Sequence, residues 1–132
     1  LRGPWFFTRA LTEALIESGR RGSILFISSV HSSQVRLYPH YSASKAAVAM
    51  LVKELAYGLG RDGIRVNALS PGWIGPPVGE VAERVALRRA GTPGDVAPMA
   101  LALLDDTVSG YVTGADVAVD GGLALHSWLD DL

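Results

Sequence analysis

In the first segment of the chain apolar residues recur at spacings of three and four, at Phe6, Phe7, Ala10, Leu11, Ala14 and Leu15, with Glu13 and Glu17 between them. That period predicts an amphipathic helix over residues 4–18, opened by Pro4 in its first turn and stopped at Gly19-Arg20-Arg21-Gly22. Phe6 and Phe7 are read as residues of the core or of a subunit interface. Residues 23–30 are mostly apolar without alternation, which predicts a strand covered on both faces, as in a parallel sheet. A polar loop, 31–40, leads into a long helix over residues 41–59 that ends in the Gly60/Gly63 region, where glycine can take a left-handed cap. Its first half (Ala43, Ala46, Ala47, Val48, Ala49, Met50, Leu51) is small and apolar all round, which predicts burial on more than one side, against the sheet and against a partner helix or subunit. Residues 64–69 form a second buried strand, broken by Ser70-Pro71-Gly72. A short helix over 79–89 and another over 93–104, with Asp95 near its start, precede a third strand over 114–120 that Gly121-Gly122 closes. Helix, strand, helix, strand, helices, strand is the order of an α/β fold with a parallel sheet, flanking helices and right-handed crossovers.

Composition narrows the class. The 132 residues are 48% hydrophobic with 15 Gly and 7 Pro, which suits one compact domain with a modest core. Twelve basic and 13 acidic residues are interspersed, for a net charge of -1, so there is no basic stripe to attract nucleic acid or an anionic membrane. A small neutral substrate is the expectation. With no cysteine the chain has no disulfide, thiolate nucleophile or cysteine-ligated metal, and the cytoplasm is the expected compartment. His31, His40 and His126 are too scattered for a metal site, and the apolar runs at 46–51 and 97–104 are far shorter than a bilayer span. The chain begins at Leu1, without Met, directly before a helix, and is expected to be truncated.

Tyr41-Ser42-Ala43-Ser44-Lys45 places a phenol and an ammonium four residues apart at the start of a helix, on one face. A phenol with a pKa of about 10 serves as acid or base near neutral pH only if its anion is stabilised, and a neighbouring cation does that. Twelve residues before Tyr41, Ser29 ends an apolar strand, where open parallel sheets assemble ligand crevices. Its hydroxyl there could hold a carbonyl or alcohol oxygen near the Tyr41 phenol. Ser28 reads two ways, as a cap for strand-end backbone groups or as a cofactor contact. Trp73 reads equally as packing under a loop or lining a pocket, His31 and His40 as loop and helix-cap residues rather than proton relays, and Asp120-Gly121-Gly122 as a strand-ending turn.

Four stretches in order carry a resemblance: Ile27-Ser28-Ser29-Val30, the pentapeptide from Tyr41 to Lys45, Ile64-Arg65-Val66-Asn67 through Ser70-Pro71-Gly72-Trp73-Ile74, and Tyr111-Val112-Thr113-Gly114 with Val119-Asp120-Gly121-Gly122. Across nearly its whole length the chain resembles the short-chain dehydrogenase/reductase family, including its glucose 1-dehydrogenase and 3-oxoacyl-carrier-protein reductase types. The resemblance implies the C-terminal half of a Rossmann-like doubly wound parallel sheet and an oxidoreductase that uses NAD or NADP on a small carbonyl or alcohol substrate. It implies Tyr41 as the acid/base, Lys45 as the residue that binds the nicotinamide ribose and lowers the Tyr41 pKa, and Ser29 as the one that orients the substrate. Pro71, Gly72, Trp73 and Ile74 would border the nicotinamide, Ser28 would touch the cofactor, and no metal is implied. A homo-oligomer would form through the first and the long Ala-rich helix.

The sequence also departs from the family. The N-terminal half, with its glycine-rich phosphate turn, cofactor selector and catalytic asparagine, has no counterpart, so this chain alone is expected to bind dinucleotide poorly. The serine-to-tyrosine gap is one residue short, which leaves Ser28 as an alternative to Ser29. Gly75-Pro76-Pro77 stands where relatives offer a threonine, and the segment over the substrate is shortened. Two further readings are a non-catalytic half-domain that oligomerises or binds, with one sheet edge exposed, and an epimerase or dehydratase with the same Tyr and Lys pair.

Overall fold

A computed structural model of the chain describes residues 1–76 and 81–125. Helix α1 spans Arg2–Glu17, strand β1 Gly22–Ile27, helix α2 Pro39–Leu59, strand β2 Ile64–Pro71, helices α3 Val81–Arg84, α4 Pro93–Leu104 and α5 Asp106–Ser109, and strand β3 Asp116–Val119. Single 3-10 turns occupy Val30–Ser32, Gly60–Asp62 and Leu123–Leu125. The three strands form one parallel sheet in the order β1-β2-β3, with Gly22 opposite Ile64 and Ala68 opposite Asp116. The α/β class and the three strands agree with the sequence pattern.

Strand β2 is central and buried from Ile64 to Ser70, because both of its faces are covered. Ile64, Val66 and Ala68 alternate toward α2, where they pack with Phe26, Val48, Val52 and Ala56 to form the core. The intervening Arg65 and Asn67 take the other face and are tied to the C-terminal segment. The buried Arg65 guanidinium donates from Nε to Asp106 Oδ1 at 2.8 Å and from Nη1 to the carbonyls of Leu103 at 3.0 Å and Val112 at 3.1 Å. It thereby satisfies a carbonyl that the end of α4 would otherwise leave open. Asn67 donates from Nδ2 to Val112 O at 2.9 Å and accepts the Ala115 amide on Oδ1 at 3.0 Å, which sets the entry into β3.

Several boundaries and faces differ from expectation. β1 ends at Ile27 rather than 30, because the chain turns into the 3-10 turn, and β2 continues two residues further, through Pro71, paired with Val119. In α1 the buried residues are Thr8 and Thr12, with Leu15 against the core, whereas Phe6 and Phe7 are 54% and 71% exposed. Phe6 and Phe7 are therefore not core residues: positions 8, 12 and 15 form one helical stripe, and the phenylalanines lie off it. Helix α2 is buried along Val48, Val52 and Ala56 only, with Met50 and Tyr57 outward, so within this chain one side is covered rather than two. The left-handed cap falls on Gly63, at φ +70°. The helix expected over 79–89 is the single turn Val81–Arg84, its expected start lying outside the described residues. It stops because Val85 buries and the Leu87 amide bonds to Gly121 O at 3.0 Å. Gly121 and Gly122 have positive φ, and a Cβ on them would meet Val85 and Ala86 at 2.8 and 2.7 Å. His126 also lies outside the described residues. Among those described, no helix is long and apolar enough to cross a membrane.

Replacing Arg65 by Met keeps the volume but strands the Leu103 and Val112 carbonyls. A loss of about 3 kcal/mol is expected, at roughly 1–3 kcal/mol for each orphaned group. Asp106→Asn, whose side chain is 61% exposed, should cost under about 1 kcal/mol. Urea midpoints at unchanged m-value measure both.

Candidate active site

The carboxyl ends of β1 and β2, the first turns of α2 and the start of α4 surround one cavity of about 580 Å³. Ser28, Ser29, Tyr41, Lys45, Pro71, Gly72, Trp73 and Ile74 all line it, so every site residue expected from the sequence reaches the same space. Ile27, Pro93, Val96 and Ala97 complete the wall. Sequence reasoning had not included these four. The last three belong to the opening of α4, whose Thr-Pro-Gly-Asp start was legible as a helix start but not as part of a site.

The polar end of the cavity is built from β1 and α2. Ser29 is buried and caps the Val30–Ser32 turn, its Oγ accepting the His31 amide at 3.3 Å. That bond fixes the oxygen and leaves the hydroxyl proton for another acceptor. Ser28 is also buried, but its Oγ has no hydrogen-bond partner, so it does not cap the strand end. Pro39 at the start of α2 sets the helix two residues before Tyr41, earlier than the expected start at 41. Tyr41 is 40% exposed, and the Lys45 ammonium stands 5.5 Å from the centroid of its ring. Lys45 Nζ donates to the Ile27 carbonyl at 3.0 Å, which holds the cation at the end of β1.

The apolar end comes from the segment after β2. Gly72 passes so close to Asp120 that a Cβ would lie 2.6 Å from the Asp120 Cβ and 2.7 Å from its Cα. Only glycine lets this segment lie against the end of β3. Trp73 lines the cavity, and its Nε1 donates to Pro76 O at 2.8 Å. Ile74 forms a bridge with Gly91 whose two bonds run through Trp73 O and the Gly75 amide, so the amide and carbonyl of Ile74 take no part in it. Asp120 accepts the Gly122 and Ala124 amides at 2.9 and 2.7 Å, the strand-ending turn expected of it.

His31 sits behind Tyr41, the two rings edge to face at 5.0 Å, and its Nδ1 is 3.2 Å from Ser42 Oγ. Burial lowers the His31 pKa from its usual value, with Arg36 adding to the effect. His40 is exposed at the start of α2. Among the described residues no group of His, Cys, Asp or Glu could hold a metal ion.

A family model described as enoyl-(acyl carrier protein) reductase matches residues 1–124. A short chain dehydrogenase from Bacillus anthracis superposes with a TM-score of 0.89 at 33% identity, over 97% of this chain and 55% of that one. The chain belongs to the short-chain dehydrogenase/reductase family. It is 40% identical to the (3R)-3-hydroxyacyl-CoA dehydrogenase of Mus musculus, over 93% of this chain and 51% of the relative. It is 36% identical to the L-rhamnose 1-dehydrogenase (NAD(P)(+)) of Azotobacter vinelandii, over 96% and 54% respectively. The chain thus spans about half the length of the curated relatives it matches.

The wall supplied by α4 is set by its cap. Asp95 Oδ2 accepts the Thr92 amide at 2.8 Å and the Thr92 hydroxyl at 2.7 Å, and Arg89 clamps the same carboxylate through both nitrogens at 2.6 and 2.9 Å. These bonds, Arg89 first and then Thr92, lower the Asp95 pKa strongly. A depressed carboxyl pKa stabilises the fold in full above the unfolded value of about 4, and this contribution is lost progressively as pH falls from there through the lower folded value. The stability advantage over Asp95→Asn should therefore be constant from pH 7 to about 5 and shrink below about 4, as urea midpoints at stepped pH will register.

Proposed function

We propose that the protein is an NAD- or NADP-dependent oxidoreductase that interconverts a carbonyl and an alcohol by hydride transfer. The observation that carries this reading is the meeting of Ser29, Tyr41 and Lys45 with the Pro71–Ile74 segment in one cavity. The cavity wall suits a dinucleotide's nicotinamide end. Ser28 offers a buried hydroxyl without a partner, Ile74 offers main-chain groups its bridge does not use, and Lys45 keeps ammonium protons beyond the one given to Ile27. Ser28, Lys45 and the segment from Pro71 to Ile74 would hold that group, which supplies or accepts the hydride when bound.

The chain's own residues handle the substrate oxygen. In the reducing direction the Ser29 hydroxyl donates a hydrogen bond to the carbonyl oxygen and holds it toward Tyr41. As that oxygen gains charge the Tyr41 phenol gives it a proton, completing the alcohol, and the resulting phenolate lies beside the Lys45 cation. In the oxidising direction the phenolate takes the proton back. The relatives named above act on an acyl-CoA and on a sugar, so the substrate class is read no further than a carbonyl or alcohol. Because the chain spans half of such relatives, the proposal concerns the natural protein that carries it.

The same reading includes self-association in the cytoplasm through α1 and α2, where Phe6, Phe7, Met50 and Tyr57 are exposed apolar side chains that water disfavours. The non-catalytic alternative shares this self-association but needs no turnover.

Tyr41→Phe should lower kcat by about 10²–10⁴-fold while leaving the circular dichroism spectrum and dinucleotide binding in place. Turnover undiminished in that variant would remove the acid/base and the reading with it. In sedimentation, Phe7→Glu combined with Met50→Glu should shift the natural protein to a smaller species. An unchanged sedimentation coefficient would rule out that interface.

A further inference from the structure

Tyr41 lines the cavity and is 40% exposed, and an acid/base needs a fixed direction. On one side it has Lys45, whose ammonium is near the ring but is tethered to the Ile27 carbonyl. The other support comes from the strand-end turn. The half-buried His31 ring meets Tyr41 edge to face, with centroids 5.0 Å apart and planes at 82°. It meets Tyr38, the residue that precedes α2, at 6.0 Å and 61°. Its Nδ1 is within hydrogen-bond distance of Ser42, the residue after Tyr41, at 3.2 Å. The same residue's amide donates to Ser29 Oγ.

We propose that His31 is a positioning residue that couples the two halves of the site, fixing the Ser29 oxygen through its main chain and the Tyr41 ring through its side chain. This rests on the reading of Tyr41 as the acid/base, and it adds a residue that the resemblance assigned no role. His31 does not line the cavity itself, so it acts through its neighbours. The geometry divides its work between two groups. The amide contribution survives any side-chain replacement, whereas the ring edge and Nδ1 are separable by substitution.

The charged and titratable groups around the imidazole are Tyr38 before α2, Tyr41 with Lys45 behind it on α2, and Arg36 on the intervening loop. None of them is a carboxylate. Burial and Arg36 both disfavour the imidazolium, so His31 is neutral at neutral pH and Nδ1 can share a hydrogen with Ser42 in either sense. Protonation at lower pH would add a second cation against the Tyr41 ring and force Nδ1 to donate.

The test follows Tyr41 itself as well as turnover. In the natural protein with a carbon-13 label on its tyrosine Cζ atoms, the Tyr41 resonance, assigned by its loss in Tyr41→Phe, is recorded against pH. It should show an inflection below the usual histidine pKa, and that inflection should vanish in His31→Phe. In turnover, His31→Ala should lower kcat about tenfold or more, by analogy with the effect of small misplacements, with KM for the dinucleotide little changed. His31→Phe, which keeps an aromatic edge, should recover to within about threefold. A Tyr41 resonance indifferent to His31 replacement, or equal kcat in folded wild type and His31→Ala, overturns the proposal. If the natural protein shows no turnover at all, the acid/base reading fails, while the resonance still decides whether His31 holds the ring. If His31→Ala does not fold, the wild-type inflection and His31→Phe decide it.

Discussion

The structure depends on two polar side chains buried on the outward face of the central strand. Arg65 and Asn67 lie between the apolar core positions of β2, and each is satisfied by main-chain groups that lie more than 35 residues away in sequence. A buried guanidinium or amide without partners is unfavourable by several kcal/mol, so these residues select the one arrangement in which residues 103–115 wrap back onto β2. That wrapping lays β3 beside β2, and β3 delivers Asp120 to the place where Gly72 must pass. The lining of the cavity on its apolar side thus follows from hydrogen bonds at the opposite end of the strand.

The cavity is made at the carboxyl ends of parallel strands, where the chain leaves the sheet and its main-chain groups face outward. Each wall uses a different local device. A serine-capped 3-10 turn ends β1, a proline starts α2, a glycine permits the close pass after β2, and a threonine–aspartate–arginine cluster fixes the start of α4. None of these is a long-range apolar contact. The hydrophobic core holds the layers together, whereas polar and steric details at their rims place the reactive groups to within a hydrogen-bond length.

The exposed side chains carry a second message. α1 buries threonines and presents phenylalanines, and α2 buries one narrow stripe while Tyr57 stands 94% exposed. An amphipathic period identifies a helix with two unlike faces without saying which face meets its own sheet. On α1 it is the small Thr8 and Thr12 that are buried, and the larger side chains are left for whatever covers the outer surface.

The amino-acid sequence by itself determined the element order and the parallel sheet, and it singled out the residues that the fold brings to one cavity, those from Pro71 to Ile74 through the family resemblance. The rest follow from local period, from glycine and proline at fixed offsets, and from a phenol and an ammonium one helical turn apart. It also specified Pro93–Leu104 to the residue, since a helix start written into adjacent side chains needs no distant partner. Tertiary structure alone decided what lies between elements. It turned Ser28 and Ser29 into different residues, one unpartnered and one a cap, and brought His31 against Tyr41 across an irregular loop. It cut the helix expected over 79–89 to one turn, because Gly121 and Gly122 draw Val85 and Leu87 onto them. These outcomes depend on which surfaces meet, and sequence period carries no information about a partner that lies dozens of residues away.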